Sequence, residues 1–499
     1  MRATALRTAP AATLRVPIVV LAVSTVLLGL LFHAECAAAV RVWMESTAYG
    51  HCFLIAPMAA YLAWDRRQSL RGVAPQPWPA AVLLGAPIAL GWIAADRLGI
   101  MEGRQLAAVA ALEVLALAVL GRRLYRALAG PLLYLVFLVP FGAFLTPQLQ
   151  QFTARFVAVG LTVLGVPNLV TNMTIEIPEG TFYVAEACAG LRFLIAAVAF
   201  GVFFALLNYR SPGRRVAFIA ASCVIPVVAN GFRALGIVML GHVLGSAEAA
   251  ETDHILYGWL FFSIVLLLLV AAGLPFRETA SASLPGAALR QGVSARSAVT
   301  AAAGLLLLVG AGPAAAALLD RYPGDARLAS APLLLPGPGC IAGPAGAESA
   351  SRYVAHFTCA GLPLLVTIEA LPPRATPDRL LDAERRLGGE EGVEDAEHGT
   401  LTLAHGEPRQ WRLTETVAPT RVTALAAWVG GRAAGSGMAA RIRQAWASLG
   451  GTRTVPIVVA VQVASGHERL SPTAEAAVRA VLTQFLEAQP GLPGGDPAP

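Results

Sequence analysis

Lysine is absent from this sequence of 499 residues, so the 37 positions that carry lysine or arginine are all arginine. Charge of either sign is also scarce, since 14% of the residues are charged and 56% are hydrophobic, and the mean hydropathy is +0.63. A soluble chain of this composition would carry more apolar surface than its core could bury. We therefore expect most of the first 320 residues to face lipid.

The arginines lie mainly in short loops between apolar segments, which is typical of topology signals. A nucleic-acid surface would instead cluster them on one soluble face, so no nucleic-acid partner is predicted. Motifs for other chemistries are missing as well: the sequence has no Gly-rich phosphate loop, no His-Glu-x-x-His zinc helix and no Gly-x-Ser-x-Gly nucleophile elbow. Neither a cofactor nor a metal is therefore expected.

Apolar segments long enough to cross a bilayer, which takes about 20 residues, recur along the first two thirds of the chain. They lie near residues 16–32, 47–64, 80–95, 105–120, 127–146, 186–207, 216–243, 255–274 and 298–319. Arginine-rich loops follow the second, fourth, sixth and eighth segments, which predicts that these loops are cytoplasmic. Arg97 and Arg104 fit this topology less well. The odd number of spans predicts that residues 320–499 lie outside the cytoplasm.

The predicted fold is an all-α polytopic membrane bundle with a C-terminal extracytoplasmic α+β domain. About eight core spans occupy residues 1–275, a polar cytoplasmic linker follows at 276–297, and one further helix at 298–319 leads to the domain at 320–499. In that domain the residue patterns predict strands at 353–358, 363–370, 400–404, 409–416 and 455–464. The predicted helices lie at 377–387, 421–433, 436–449 and 471–488.

Three reactive side chains lie at or near the predicted outer ends of separate apolar segments: Cys188, Arg233 and His254. Cysteine and histidine together indicate nucleophilic acyl chemistry, in which a base activates the thiol and an arginine holds the thiolate or a developing oxyanion. An arginine in an apolar run costs roughly 2.5–3.5 kcal/mol on insertion scales, so Arg233 is expected to have a partner and a purpose. The alternatives are a small apolar cysteine, an arginine that reaches the headgroups and an interfacial histidine.

Polar and small residues accompany these three side chains. Asn230 lies one helical turn before Arg233, where it could orient either the arginine or a substrate carbonyl. The whole supporting set is Glu186, Gly190, Arg192, Asn230, Asp253 and His51, the last as a second candidate base. A strand pattern on both sides of 178–180 predicts a hairpin that leads into the cysteine segment. The segment at 149–166 is predicted to be an amphipathic interfacial helix.

Three ordered motifs resemble those of a known family. They are Glu186-Ala187-Cys188-Ala189-Gly190-Leu191-Arg192-Phe193, Asn230-x-x-Arg233 and Asp253-His254-x-x-x-Gly258-Trp259. Their order and spacing resemble the signature motifs of the exosortase/archaeosortase family, over about residues 14–275. The C-terminal part is similar, by position, size and strand order, to the exosortase-associated C-terminal domain.

This resemblance implies a membrane cysteine peptidase or transpeptidase that cleaves the C-terminal PEP-CTERM-type sorting signal of exported proteins through a thioester. On that reading Cys188 is the nucleophile, His254 the general acid/base and Arg233 the stabiliser of the thiolate or oxyanion. The implied partners are membrane-tethered protein substrates and the lipid bilayer. The implied location is the inner membrane of a bacterium, with the active site facing the periplasm and a link to exopolysaccharide-associated surface export. No oligomeric state is implied.

Two other functions stay open at this point: a polytopic component of exopolysaccharide assembly, such as a polymerase, and a membrane transporter. A transporter would show internal repeats, and none is detected. Two further thiols, Cys36 and Cys52, could compete with the nucleophile or pair with each other. Cys340 and Cys359 would lie in an oxidising compartment on the predicted topology, where a disulfide closing their loop would add roughly 3 kcal/mol.

Overall fold

The computed structural model describes residues 12–68, 70, 73–171, 173–245, 254–278, 295–322, 324–328, 332–390, 397–406, 408–416, 421–434, 438–450, 454–464 and 472–489. The chain forms two compact units. The first comprises Met1–Ala89 and Arg104–Gly310, and the second comprises Leu90–Gly103 and Ala311–Pro499.

Helices dominate the described part of the chain up to residue 321. Their bounds are α1 Ala12–Leu31, α2 His33–Glu45, α3 Cys52–Asp65, α4 Gly85–Arg97, α5 Met101–Leu133, α6 Thr146–Val163, α7 Leu191–Asn208, α8 Pro212–Leu244, α9 His254–Gly273 and α10 Ala295–Arg321. Many of their side chains are apolar and exposed, as expected of helices in contact with lipid.

Six helical segments in the described ranges are long and apolar enough to cross a membrane, and the bent pair Arg15–Leu31 and His33–Glu45 raises the number to seven. This supports a multi-pass membrane protein with a helical membrane domain. The predicted nine spans are not confirmed. The second predicted segment forms the helix α3, which has only 14 residues, and the fourth and fifth are joined in α5.

The helix α5 is interrupted at Gly121, where φ is 78° and ψ is 167°. An extended segment runs past this point: the N–H of Gln76 donates to the carbonyl of Leu120 (3.1 Å), and the N–H of Trp78 donates to the carbonyl of Ala118 (2.8 Å). A Cβ atom at position 121 would lie 1.7 Å from the carbonyl oxygen of Gln76. Glycine is therefore required here both for the backbone conformation and for the close approach of the two chains.

The two arginines that fit the predicted topology poorly are both paired with carboxylates. In the first unit, Arg104 binds the buried carboxylate of Glu35 (Nη2–Oε1, 2.7 Å). In the second unit, Arg97 is buried and binds Asp96 (2.9 Å) and Asp320 (3.1 Å). In each case a carboxylate partner compensates the charge of an arginine that lies within or beside an apolar helix.

A small antiparallel sheet lies between α6 and α7 in sequence, formed by β1 Leu169–Thr171, β2 Thr174–Ile177 and β3 Gly180–Tyr183. The predicted hairpin is confirmed, with Ile177 paired to Gly180 across the turn. Its apolar side chains, including Ile175 and Phe182, form a buried cluster with α6 and α8. This cluster fixes the hairpin directly before the cysteine segment.

The hairpin tip also contacts the last turn of α8 through an ion pair between Glu179 and His242 (Oε2–Nδ1, 2.8 Å). The hydrogen bond with His242 holds the pKa of the Glu179 carboxyl below its usual value. The stabilisation that this carboxylate contributes is therefore present above its unfolded-state pKa and is lost as the pH falls through the lower, folded-state pKa. The ion pair is a second point at which the hairpin is fixed to the bundle.

The C-terminal unit contains an eight-stranded antiparallel sheet in the order β4-β5-β6-β11-β9-β8-β7, with β10 paired to β9. The strands are β4 Cys340–Ser349, β5 Arg352–Cys359, β6 Leu362–Ala370, β7 Glu397–Thr402, β8 Gln410–Thr416, β9 Arg421–Val429, β10 Arg432–Ala433 and β11 Ile457–Ala464. The helices are α11 Pro377–Gly388, α12 Met438–Gly450 and α13 Pro472–Glu487. The predicted α+β character of this region is confirmed.

The sheet has a buried cluster on each face. On one face, Phe485 and Leu482 of α13 pack against side chains that include Ala426 of β9. On the other, Leu380 of α11 packs in a cluster with Ala427 of the same strand. Successive residues of β9 therefore point to opposite faces, and both faces are covered.

The predicted helix at 421–433 is wrong, because these residues form β9 and β10. Gly430 and Gly431 both have positive φ and make a two-residue turn, after which Arg432 pairs with Val429. The Ala-rich composition favoured a helix. A Gly-Gly pair between two strands is a hairpin signal that should have outweighed it.

The structure joins Cys340 and Cys359 in a disulfide between the neighbouring strands β4 and β5. We expect the double change Cys340→Ser/Cys359→Ser to lower the free energy of local opening of these strands by about 3 kcal/mol, because the closed loop restricts the unfolded chain. Hydrogen exchange of the β4 and β5 amides in the full-length protein measures this free energy. Cys223→Ser, which changes a free thiol of the first unit, should leave their exchange unchanged, and equal protection in the double variant would contradict the expectation.

Candidate active site

Cys188 lies in a single 3-10 turn, Glu186–Cys188, directly after the hairpin. The turn is closed by the N–H of Cys188, which donates to the carbonyl of Ala185 (2.9 Å), and by the N–H of Ala189, which donates to that of Glu186 (3.1 Å). The sequence predicted that the helix begins at 186, but α7 begins at Leu191. The partly buried thiol is therefore carried on a turn that precedes the helix.

Gly190 connects this turn to α7 as its N-cap, with φ 80° and ψ 8°. The N–H groups of Phe193 and Leu194, in the first turn of α7, donate to its carbonyl oxygen at 3.1 and 3.0 Å. A Cβ atom at this position would lie 2.6 Å from Cγ of Asn230. The glycine thus permits both the left-handed backbone and the contact of the cysteine turn with α8.

We expect Gly190→Ala to slow the predicted acyl-transfer reaction at least about tenfold. The added methyl group would displace Asn230, and the cysteine turn would then be misplaced by up to about an ångström. Gly165→Ala is a matched control, since Gly165 also has positive φ (77°) but a Cβ there would meet nothing within 4 Å. Both changes carry the left-handed strain of roughly 1–2 kcal/mol. Backbone strain should lower the melting temperature of both variants, whereas displacement of Asn230 should lower the turnover of Gly190→Ala alone. Equal turnover of the two variants would contradict the prediction.

The amide of Asn230 links three elements at the centre of the site. It is buried, and its Nδ2 donates to the carbonyl oxygen of Cys188 (2.8 Å) and to Oγ1 of Thr153 in α6 (3.3 Å). Its Oδ1 faces Nη1 of Arg233 at 3.5 Å, a long hydrogen bond. One side chain of α8 therefore holds the backbone at Cys188 on one side and the arginine on the other.

Arg233 lies in the interior of the bundle, with 4% of its surface exposed. Its guanidinium carbon is 5.6 Å from the ring centre of Phe193 in α7, and that ring stacks on Phe262 of α9 at 4.7 Å. Arg233 and Cys188 line one small cavity of about 60 Å³, together with side chains of the hairpin, α6 and α8. A buried guanidinium and a thiol share this space, which is the arrangement needed to stabilise a thiolate or an oxyanion.

The helix α9 begins at His254, and its first turn is close to Arg233. Gly258 lies one turn further along, where a Cβ atom would be 3.1 Å from Nη2 of Arg233. The helix that begins at His254 therefore approaches the arginine at Gly258. Asp253 and the side chain of His254 lie outside the described residues.

The other predicted residues have different surroundings. Glu186 is exposed, and Arg192 contacts the same Phe193 ring as Arg233, with its guanidinium carbon 5.5 Å from the ring centre. His51 lines a separate apolar cavity of about 340 Å³, where its Nε2 is 4.0 Å from the sulfur of Cys52. Cys36 and Cys52 both have free thiols, so the predicted alternative of a bridge between them is wrong.

Two polar residues of α6 were missed by the sequence analysis. Thr153 binds the amide of Asn230, and Nε2 of Gln150 donates to the carbonyl of Val184 at the end of the hairpin (3.0 Å). Both are buried, whereas the apolar Phe152 and Val159 on the other side of the helix are exposed. The signal that could have identified them is a polar pair at i and i+3 in a lipid-facing helix, since polar side chains there turn toward protein.

No group of three or more His, Cys, Asp or Glu side chains that could hold a metal ion occurs in the part of the chain that the structure describes. Residues 43–271 match the family model of transmembrane exosortases, Exosortase_EpsH. This region contains the cysteine turn, the Asn230 and Arg233 pair and the start of α9. No curated protein and no solved structure matches the chain.

Proposed function

Because the chain belongs, over residues 43–271, to the transmembrane exosortase family, we propose that it is a membrane cysteine transpeptidase or protease. Its substrates would be exported proteins that carry a C-terminal PEP-CTERM-type sorting signal, and its action would accompany exopolysaccharide-associated surface export. The observation that carries the proposal is the cavity shared by Cys188 and Arg233, with Asn230 bound to both. A thiol placed this way suits acyl transfer.

In the proposed mechanism, His254 first takes the proton of the Cys188 thiol. The resulting thiolate attacks the scissile carbonyl carbon, and the electron pair of the C=O bond moves to the oxygen. Arg233 stabilises the resulting oxyanion, since its buried guanidinium is held before the reaction starts. The C–N bond then breaks, and His254 gives a proton to the departing amine. The thioester that remains is resolved by water in hydrolysis, or by an amine in transfer, which regenerates the thiol.

The proposed location is a bacterial inner membrane, with Cys188 and the C-terminal domain on the periplasmic side. Two features support this orientation. Arginines of the loops predicted to be cytoplasmic line one common pocket, as loops on the same side of a membrane would. The disulfide of the C-terminal unit suits an oxidising compartment.

Co-expression with a tagged reporter that ends in a PEP-CTERM tail tests the proposal. We expect a shorter reporter in the presence of this protein, and no change in a reporter whose tail keeps the hydrophobic helix but lacks the short motif. Mass spectrometry of the new C-terminus separates hydrolysis, which leaves a free carboxylate, from transfer, which adds the mass of the acceptor. A reporter left intact under conditions in which the protein is expressed and membrane-inserted, with each of several tail sequences, would contradict the proposal.

A further inference from the structure

Four arginines converge on one pocket at the end of the bundle that is far along α8 from Arg233. They are Arg66 after α3, Arg126 in the last part of α5, and Arg210 and Arg215 at the connection of α7 to α8. The pocket has a volume of about 310 Å³, which is in the range of small-molecule sites. Arginines from three separate parts of the sequence thus line the same pocket.

The backbone orients two of these side chains. Nη1 of Arg66 donates to the carbonyl oxygen of Ala127 (3.3 Å), and Nε of Arg215 donates to that of Tyr209 (2.9 Å). A Cβ atom at Gly130 would be 2.8 Å from Nη1 of Arg66, so glycine leaves room for the guanidinium at the pocket wall.

The pocket concentrates positive charge. Burial, followed by the like charges of Arg215 and Arg210, lowers the pKa of the Arg66 guanidinium, against the opposite effect of Asp65. Arginine nevertheless stays charged in proteins, so this repulsion persists in the folded state. An anion in the pocket would relieve both the loss of hydration and the repulsion.

The nearest other carboxylate, Glu278, is already engaged. It accepts hydrogen bonds from the backbone N–H groups of Arg210 and Ser211 and forms an ion pair with Arg214 (3.2 Å). These N–H groups lower the pKa of the Glu278 carboxyl, which keeps it ionised in this role. Its charge also acts on Arg215, but Glu278 does not itself line the pocket.

We propose that this pocket binds a phosphate-bearing anion, whose oxygens accept hydrogen bonds from the convergent guanidinium groups. Guanidinium forks match phosphate oxygens in geometry and charge. The phosphate could belong to the headgroup of an anionic phospholipid, since basic pockets between membrane helices bind such headgroups, or to a soluble phosphate ester. A role as topology signals does not by itself require arginines to share a pocket: Arg67 and Arg123 belong to the same predicted loops, and neither lines it.

The test is native mass spectrometry of the purified full-length protein in detergent, titrated with phosphatidylglycerol or phosphatidylcholine. The variant Arg126→Gln/Arg210→Gln removes two pocket charges, and Arg67→Gln/Arg123→Gln removes two nearby charges outside it. We expect one tightly bound phosphatidylglycerol in the wild type. We expect affinity about thirtyfold weaker in the pocket variant, for two charges lost beside the headgroup, and within about twofold of wild type in the control.

Competition with glycerol 3-phosphate distinguishes a lipid headgroup from a soluble phosphate ester as the source of the phosphate. Displacement of the lipid at comparable concentration indicates a site for soluble phosphate esters, and lipid binding without competition indicates a headgroup site. Equal binding of phosphatidylcholine, equal affinity of the two double variants, or binding of neither probe would overturn the proposal. Wild-type affinity should also weaken as NaCl is raised, which tests the charge-based site even if the pocket variant does not fold.

Discussion

Replacing Cys188 with alanine is expected to abolish cleavage of the sorting-signal reporter, with a rate loss of about 10³-fold or more, because the change removes the proposed nucleophile while the rest of the site stays in place. The structure predicts little cost to folding, since the interactions that fix the turn use the backbone of Cys188: its N–H donates to Ala185 and its carbonyl accepts from Asn230. The measurement is the rate at which the reporter is shortened, with the melting temperature of each variant alongside.

The other free thiols of the bundle supply the controls. Cys223→Ala and Cys52→Ala remove thiols that line the separate apolar cavity, so both should process the reporter at close to the wild-type rate. Processing that survived Cys188→Ala but failed in Cys52→Ala would assign the chemistry to the adjacent His51 and Cys52 pair instead. Processing that survived in every one of these variants would rule out a thiol mechanism.

Much of this site was predictable from short-range patterns. The hairpin follows from alternating residues around a Pro-Glu-Gly turn, and it was confirmed at β2 and β3. Asn230 and Arg233 were expected to face the same way, because three residues separate neighbours on a helix surface. The structure agrees, since the amide contacts the guanidinium and the cysteine turn together. Where the geometry is set within one helix or one hairpin, the sequence was sufficient to predict it.

The role of α6 was not predictable in the same way. Its apolar residues suggested an interfacial helix, but Gln150 and Thr153 turn inward to the hairpin and to Asn230, while Phe152 faces outward. In water the apolar face of a helix is buried, whereas in lipid the few polar groups are the ones that need protein partners. The partner of each polar group lies about 34 to 77 residues away in the chain, so no local pattern reveals it.

The prediction of a helix at 421–433 failed for another reason. As the strand β9, Val422 to Trp428 are covered on both faces, so the alternation of apolar and polar residues that marks a half-exposed strand is absent. A short, continuously apolar run does not distinguish a buried strand from a buried helix. The Gly430-Gly431 turn is the local signal of a strand here, whereas the pairing of β9 with β11 joins residues about 30 to 43 positions apart and leaves no local pattern.

Arg233→Gln is expected to have the next largest effect, with a loss of about 10²–10³-fold in kcat and a small effect on KM. The reason is that, in the proposed mechanism, the lost charge acts on an oxyanion that is absent from the bound substrate. Glutamine keeps a hydrogen-bond donor, so Asn230 retains a polar neighbour. The guanidinium is buried between Phe193, Asn230 and the first turn of α9, and therefore no solvent ion can replace it efficiently.

Arg192→Gln is the matched control, since Arg192 contacts the same Phe193 ring at 5.5 Å but does not line the cavity of Cys188. Its loss should change kcat by less than about tenfold, as expected for a contact away from the reacting atoms. The conservative change Arg233→Lys should recover part of the lost rate, because charge is kept while the planar fork is not. If Arg233→Gln instead raised KM at unchanged kcat, the arginine would bind the substrate in its ground state, and the oxyanion would have to be stabilised by other groups.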